Sequence, residues 1–327
     1  MKVLITGGAG FLGQNLAKAL LAKDHTVRLL VRGDQAKKSV AHLKVETVHG
    51  DLGDEASLEV ACEGQEILFH TAGVISYNPQ KNDLMYRTNV LGTKNIAQAA
   101  LRAGIKRMIH TSSTAAIGVN TDPSALMDEN SPFNARKLKL AYFDTKYDAE
   151  QELLNFVGKG LDAVIINPGS LMGPGDTRRY EQTYPGLIYK YKPPFLMHGG
   201  INYVDVNDVV QGHLLAMEKG RKGERYILGG ENLSFAQLIQ RTNMIIGRKS
   251  PKFYLPRSAM GTVSKILKLA QVMGLHLHMT PELVQQMSSW YLFVDSSKAK
   301  RELGYNPRSI DDAIRGTISW LKEIGRI

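Results

Sequence analysis

The stretch "LAYFDTKYDAEQELL" (140–154) places Tyr142 four residues before Lys146. Residues at i and i+4 on a helix are surface neighbours, so this phenol and this ammonium can act on one ligand. Tyrosine, with an ordinary pKa near 10, is a poor acid or base alone at neutral pH. A lysine one turn away lowers that pKa through its charge and can also grip a ribose. The pair therefore suits proton transfer to or from a substrate oxygen while hydride moves at the adjoining carbon. Such a reaction needs a further donor at the oxygen, where charge develops. The hydroxyls of "HTSSTAAIG" (110–118) are the candidates for that role.

The elements that must position these groups alternate along the first half of the chain. "KVLIT" (2–6), "TVRLLV" (26–31), "KVETVHG" (44–50), "EILFHTA" (66–72), "RMIHTSS" (107–113) and "DAVIINP" (162–168) read as strands. Amphipathic stretches such as "FLGQNLAKALLAK" and "NVLGTKNIAQAALRAG" lie between them. Strand–helix alternation implies βαβ units and hence an α/β, Rossmann-type doubly wound parallel sheet. After Pro168 the pattern weakens. "NPGSLMGPGD", "YKPPF" and "MHGG" read as loops, "NYVDV" and "ERYILGG" as strands, and much of the remainder as helix. The expected organisation is a dinucleotide-binding domain over 1–170 and a smaller, mainly helical substrate-binding part over 171–327, with 201–228 returning to the first.

"TGGAGFLG" (6–13) joins the first strand to the first helix. Gly8, Gly10 and Gly13 fit G-x-G-x-x-G, and Gly7, Gly10 and Gly13 fit the wider G-x-x-G-x-x-G. Glycines in this context bring backbone amides against a pyrophosphate at a helix N-terminus, with Phe11 and Leu12 opening the helix. An NAD enzyme carries an acid at the end of the second strand; here that position is Val31, followed by Arg32,. A guanidinium pairs with a 2′-phosphate, so NADP is expected in preference to NAD. The alternative leaves Arg32 solvated and gives the acid's role to Asp34. Asp51, with Leu52 beside it in "HGDL", either contacts the adenine amino group or caps a helix.

Composition narrows the classes. A formal charge of +10 suits an anionic cofactor, but the basic residues are scattered without aromatic interleaving, so nucleic acid is not expected,. One cysteine, Cys62, excludes an internal disulfide framework and fits a reducing compartment,. No secretory leader and no apolar run of about 18 residues is found, so a cytoplasmic address is expected. His276 and His278 alternate too locally to bind a metal, and no metal site is expected,. "VSKILKLAQVMGLHLHM" reads as core packing rather than as a membrane-surface helix,. Met172 and Tyr203 suggest a hydrophobic ligand.

The order "TGGAGFLG", "HTAG", "NVLGT", "HTSS" and "YFDTK" resembles the extended branch of the short-chain dehydrogenase/reductase superfamily over nearly the whole chain. Within that branch, "YFDTKYDAE" and the C-terminal "DSSKAKRELGYNPRSIDDAIRGTISWL" resemble dihydroflavonol 4-reductase-like proteins. "GHLLAMEKGRKGERYILGGENLS" is similar to the bacterial group called hopanoid-associated sugar epimerases. The resemblance implies a catalytic triad of Ser113, Tyr142 and Lys146, with Ser113 preferred over Ser112 by its place relative to Gly118. It gives Asn89 a structural or proton-relay role, lines the cofactor with Thr71, Ala72 and Gly73, and sets Pro168, Gly169 and Ser170 at the nicotinamide amide. It also implies a homodimer. Dehydratases of the branch follow the catalytic hydroxyl with an Asp-Glu pair, whereas this chain has Thr114, Ala115 and Ala116, which disfavours dehydration. The expectation is an NADPH-dependent reductase of a small hydrophobic ketone or aldehyde. The alternatives are an NAD-dependent nucleotide-sugar epimerase and an NADPH-binding regulator without turnover.

Overall fold

The computed structural model describes residues 1–176, 183–273 and 290–327. The strands are β1 (Lys2–Thr6), β2 (Thr26–Val31), β3 (Glu46–His49), β4 (Ile67–His70), β5 (Arg107–Thr111), β6 (Ala163–Pro168), β7 (Ser170–Met172), β8 (Gly200–Asp205), β9 (Arg225–Leu228), β10 (Glu231–Ser234) and β11 (Tyr291–Leu292). The helices used below are α1 (Phe11–Leu21), α2 (Gly33–Ser39), α3 (Glu55–Cys62), α4 (Asn82–Met85), α5 (Gly92–Arg102), α6 (Ala141–Gly158), α7 (Tyr184–Tyr191), α8 (Val206–Lys219), α9 (Phe235–Ile245) and α10 (Met260–Val272).

Seven strands form one sheet in the order β3-β2-β1-β4-β5-β6-β9. Every pairing in it is parallel. The strand order reverses direction at β1, between β2 and β4, which is the switch point where doubly wound sheets open a ligand crevice. β4 and β6 are buried along their full length, as expected for strands covered on both faces,. Leu16 and Leu20 of α1 and Val209 and Leu214 of α8 pack on one face. Leu58 of α3, Ile96 of α5, and Leu153 and Phe156 of α6 pack on the other. Each such side chain contributes about 1.5–3 kcal/mol of burial, which fixes the helices and hence the residues on them.

The C-terminal half adds a second sheet, in which β8 pairs with β10, β11 and β7. Ser170–Met172, read as loop from the sequence, is therefore strand β7. A three-residue strand between glycine turns is too short to show a period of two. Met172 and Tyr203 are 4% and 0% exposed and belong to the core beneath this sheet rather than to an open pocket. α10 departs from the expectation in the other direction. Ile266, Leu269 and Met273 are each at least 60% exposed, so these three side chains do not pack into the core; residues 274–279 of the stretch lie outside the described residues. Of the stretch 201–228, residues 201–205 lie in the second sheet, while α8 and β9 pack on or pair with the first. Among the described residues no helix is long and apolar enough to cross a membrane.

Candidate active site

Because the large sheet is parallel, the carboxyl ends of its strands share one edge. Gly7 follows β1, Arg32 follows β2, Asp51 lies just past β3, Thr71 follows β4, Ser113 lies just past β5, and Pro168 ends β6. The sequence-predicted residues thus converge on a single rim.

The glycine turn is built for close approach. Gly7 has φ +70°, and a Cβ there would meet the Ala72 backbone nitrogen at 2.6 Å. At Gly13 a Cβ would meet the Gly7 carbonyl oxygen at 2.4 Å. The Gly10 amide donates to the Gly7 carbonyl at 2.8 Å, closing the turn. Gly10 caps α1 with no side-chain hydrogen bond, and the first turn of α1 holds no acidic residue. The first amides of a helix have no intrahelical acceptor, so those of Phe11, Leu12 and Gly13 are presented at a positive helix end. A pyrophosphate fits this cradle.

Arg32 sits at the start of α2 and pairs with Asp51, Nη1 to Oδ2, at 3.3 Å. Their side chains are 73% and 47% exposed, so the pair contributes little to stability,. The other Asp51 oxygen accepts from the Gly53 amide at 2.9 Å. Asp51 is not the helix cap, a role taken by Asp54, whose carboxylate accepts from the Ser57 amide at the start of α3. Asp34 lies in the first turn of α2. Leu52 is buried.

At the end of β4, the Thr71 amide and hydroxyl both donate to the Thr6 carbonyl, tying the segment to the glycine turn. A Cβ on Gly73 would lie 3.4 Å from both Asn89 Oδ1 and Lys146 Nζ. Asn89 occupies a π-helical turn, Tyr86–Leu91, inserted between α4 and α5. Its Oδ1 accepts from the Val74 amide at 2.8 Å. Its Nδ2 donates to the Val74 carbonyl at 2.9 Å and to the Thr145 hydroxyl at 3.2 Å. The amide is thereby fully engaged in holding the 73–74 segment against α6.

Tyr142 lies in the first turn of α6 and is 7% exposed; Lys146, one turn on, is 6% exposed. Tyr77 meets the Tyr142 ring edge-on at 6.2 Å. Lys146 Nζ donates to the Thr111 carbonyl at 3.0 Å, which anchors the ammonium at the end of β5. Burial pulls its pKa from the ordinary lysine range down to about 8, against the opposing charge of Glu150. Ser113 is half-buried and Ser112 buried, so the serine preferred from the sequence is the more accessible one. The Ser113 hydroxyl oxygen accepts from the Ala115 amide at 3.1 Å. Pro168 pairs with Leu228, Gly169 donates its amide to the Leu228 carbonyl, and Ser170 pairs with Tyr203 across to the second sheet.

Sequence reasoning passed over a second layer behind this rim. The buried Glu150 and Asn167 and the part-buried Arg225 form a polar cluster next to Ser113. The signal for Glu150 was its place eight residues after Tyr142, on the same helix face,. Among the described residues no group of His, Cys, Asp and Glu is arranged to hold a metal ion. His276 and His278 lie outside the described residues.

Residues 3–229 match a family described as the NAD dependent epimerase/dehydratase family. The chain is 36% identical to a Synechocystis sp. protein provisionally named dihydroflavonol 4-reductase, over 99% of this chain and 95% of that protein. It is 33% identical to sterol demethylase protein B of Methylococcus capsulatus, over 100% of both. It is 32% identical to the 4-hydroxy-2-methyl-3-oxo-4-farnesyl-3,4-dihydroquinoline-1-oxide ketoreductase of Stigmatella aurantiaca, over 94% of this chain and 92% of that protein. The crystal structure of gox2253 superposes with a TM-score of 0.85 at 36% identity, covering 99% of each chain.

Proposed function

The chain belongs to the NAD-dependent epimerase/dehydratase family, as an NAD(P)-dependent oxidoreductase of the extended short-chain dehydrogenase/reductase type, and from that premise we propose that it reduces a ketone or aldehyde of a small hydrophobic substrate with dissociable NADPH. The observation that carries the reading is the buried Tyr142–Lys146 pair at the carboxyl edge of the sheet, anchored on Thr111. When bound, NADPH supplies the hydride that goes to the carbonyl carbon. Tyr142 gives its phenolic proton to the carbonyl oxygen, and Ser113 donates a hydrogen bond to the same oxygen as charge builds on it. Lys146, while charged, lowers the Tyr142 pKa and holds the nicotinamide ribose. Asn89 acts as a positioning residue, since its amide holds the 73–74 segment and Thr145.

Arg32 supports NADPH over NADH. It stands where an NAD enzyme carries an acid, and its guanidinium is exposed to an arriving 2′-phosphate,. Residues 1–170 together with α8 and β9 form the cofactor-binding part in this reading, and the rest of 171–327 shapes the substrate pocket. A hydrophobic carbonyl substrate accords with the farnesylated ketone named for the Stigmatella aurantiaca relative.

The test is a parallel fluorescence titration with NADPH and NADH, after absorbance has been checked for retained cofactor, followed by a panel of hydrophobic ketones and aldehydes. NADPH binding tighter than NADH and consumed with a carbonyl supports the reading. Retained NAD with weak NADPH binding overturns it in favour of a nucleotide-sugar epimerase. NADPH bound but never oxidised points instead to a regulator.

A further inference from the structure

Glu150 extends the Tyr142–Lys146 face of α6 by one more turn, into the interior,. It is fully buried, more deeply than any other carboxylate among the described residues. A charge left there without partners would cost several kcal/mol, so its surroundings matter. Asn167 of β6 donates from Nδ2 to Glu150 Oε1 at 2.6 Å and to the Ser113 carbonyl at 3.0 Å. Arg225 of β9 forms an ion pair with Oε2 at 3.0 Å. Other nitrogens of the same guanidinium donate to the carbonyls of Ala116 and Glu129. A buried carboxylate thus joins the helix of Tyr142, the strand end of Ser113 and the far edge of the large sheet.

We propose that Glu150 is a positioning residue: one turn past Lys146 on α6 and paired with Arg225, it steadies the Lys146 ammonium and, through Asn167, fixes the strand end that carries Ser113. The role rests on the reductase reading above. Four titratable groups face Lys146. Tyr142 and Glu150 flank it on α6, His70 approaches from β4, and His110 approaches from β5. Burial holds both histidines neutral, their pKa values drawn well below the ordinary range. Glu150 is therefore the anion in this group, and it opposes the burial that lowers the Lys146 pKa. Burial leaves the Glu150 carboxyl above its ordinary range, opposed first by the Arg225 charge and then by the hydrogen bond from Asn167. Arg225 serves the site at one remove, by keeping Glu150 charged.

The test follows Lys146 directly in the full chain by NMR of 13C-labelled lysine, the resonance being assigned by its loss in Lys146→Arg. Wild-type Lys146 should titrate near pH 8, as its burial dictates. In Glu150→Gln the midpoint should fall by about one pH unit, and Glu150→Asp should recover most of that shift. The alkaline limb of kcat/KM for NADPH-dependent carbonyl reduction should move down by the same amount. If Glu150→Gln does not fold with Arg225 left unpaired, Glu150→Gln/Arg225→Met removes both charges, and the Lys146 midpoint should still fall. A folded variant whose Lys146 titrates as in the wild type overturns the role of Glu150. A wild type without carbonyl turnover at any pH overturns the reductase reading instead, and the NMR titration, which needs no turnover, still decides Glu150.

Discussion

The two ends of the carboxyl rim are built on opposite terms. At one end Tyr142, Lys146 and Glu150 are almost withdrawn from water, with Lys146 held by Thr111 and Glu150 by Asn167 and Arg225. At the other end Arg32 and Asp51 stand in solvent and hold each other weakly. Charge interactions strengthen as water is excluded, so the buried end can shift pKa values, which suits it to the catalytic role proposed above. In the same proposal the exposed end only biases which dinucleotide binds. Large effects should follow changes at the first and modest ones at the second.

Replacing Tyr142 by Phe tests the buried end most severely. It should lower kcat by about 10²–10⁴-fold in steady-state assays while NADPH affinity stays nearly unchanged. Retention of activity would remove the tyrosine from the mechanism. The buried layer should next betray itself in acid. His70 and His213 are wholly buried, and burial lowers their pKa values from the ordinary 6.5 to about 3 and about 4. With the folded-state value depressed, the unfolded chain takes up protons first. Stability present above pH 6.5 is then lost as the pH falls toward 4 and 3. By pH 4.5 each should cost about 2 kcal/mol, read as a falling melting temperature. A melting temperature flat from pH 6.5 to 4.5 would mean that the layer is wetter than its burial indicates.

Gly13→Val lies between the two ends. Its Cβ would enter the space of the Gly7 carbonyl, costing about 1–3 kcal/mol of stability and weakening NADPH binding about tenfold or more,. The smallest effect belongs to the exposed end. Arg32→Ser should cut the preference for NADPH over NADH by about tenfold, with stability altered by less than about 0.5 kcal/mol. A large loss of stability there would break the contrast from the other side.

Legibility in the sequence followed the same divide between local and distant causes. All seven strands of the large sheet, the glycine turn and the Tyr142–Lys146 spacing are local patterns, and the fold carries all of them. The second sheet escaped notice because β7 and β11 have three and two residues, and neither can show a period,. Arg225 stands 75 residues from Glu150, and nothing local tells an arginine paired inside the fold from a solvated one. The α10 stripe misled in reverse: helical spacing shows which residues share a face but not whether that face is covered,.

The crossings between the sheets have one further consequence. The chain leaves β6 for β7 through Gly169 alone, and β9 for β10 through Gly229 and Gly230. Both links lie against Asn202 of β8, whose Oδ1 would be 2.4 Å from a Cβ on Gly169 and 3.0 Å from one on Gly229. A residue spans at most about 3.6 Å, so links this short cannot lengthen. The Gly169 amide is tied to the Leu228 carbonyl and the Gly230 amide to Asn202 Oδ1. Two such joints side by side bar the second sheet from sliding away from the first.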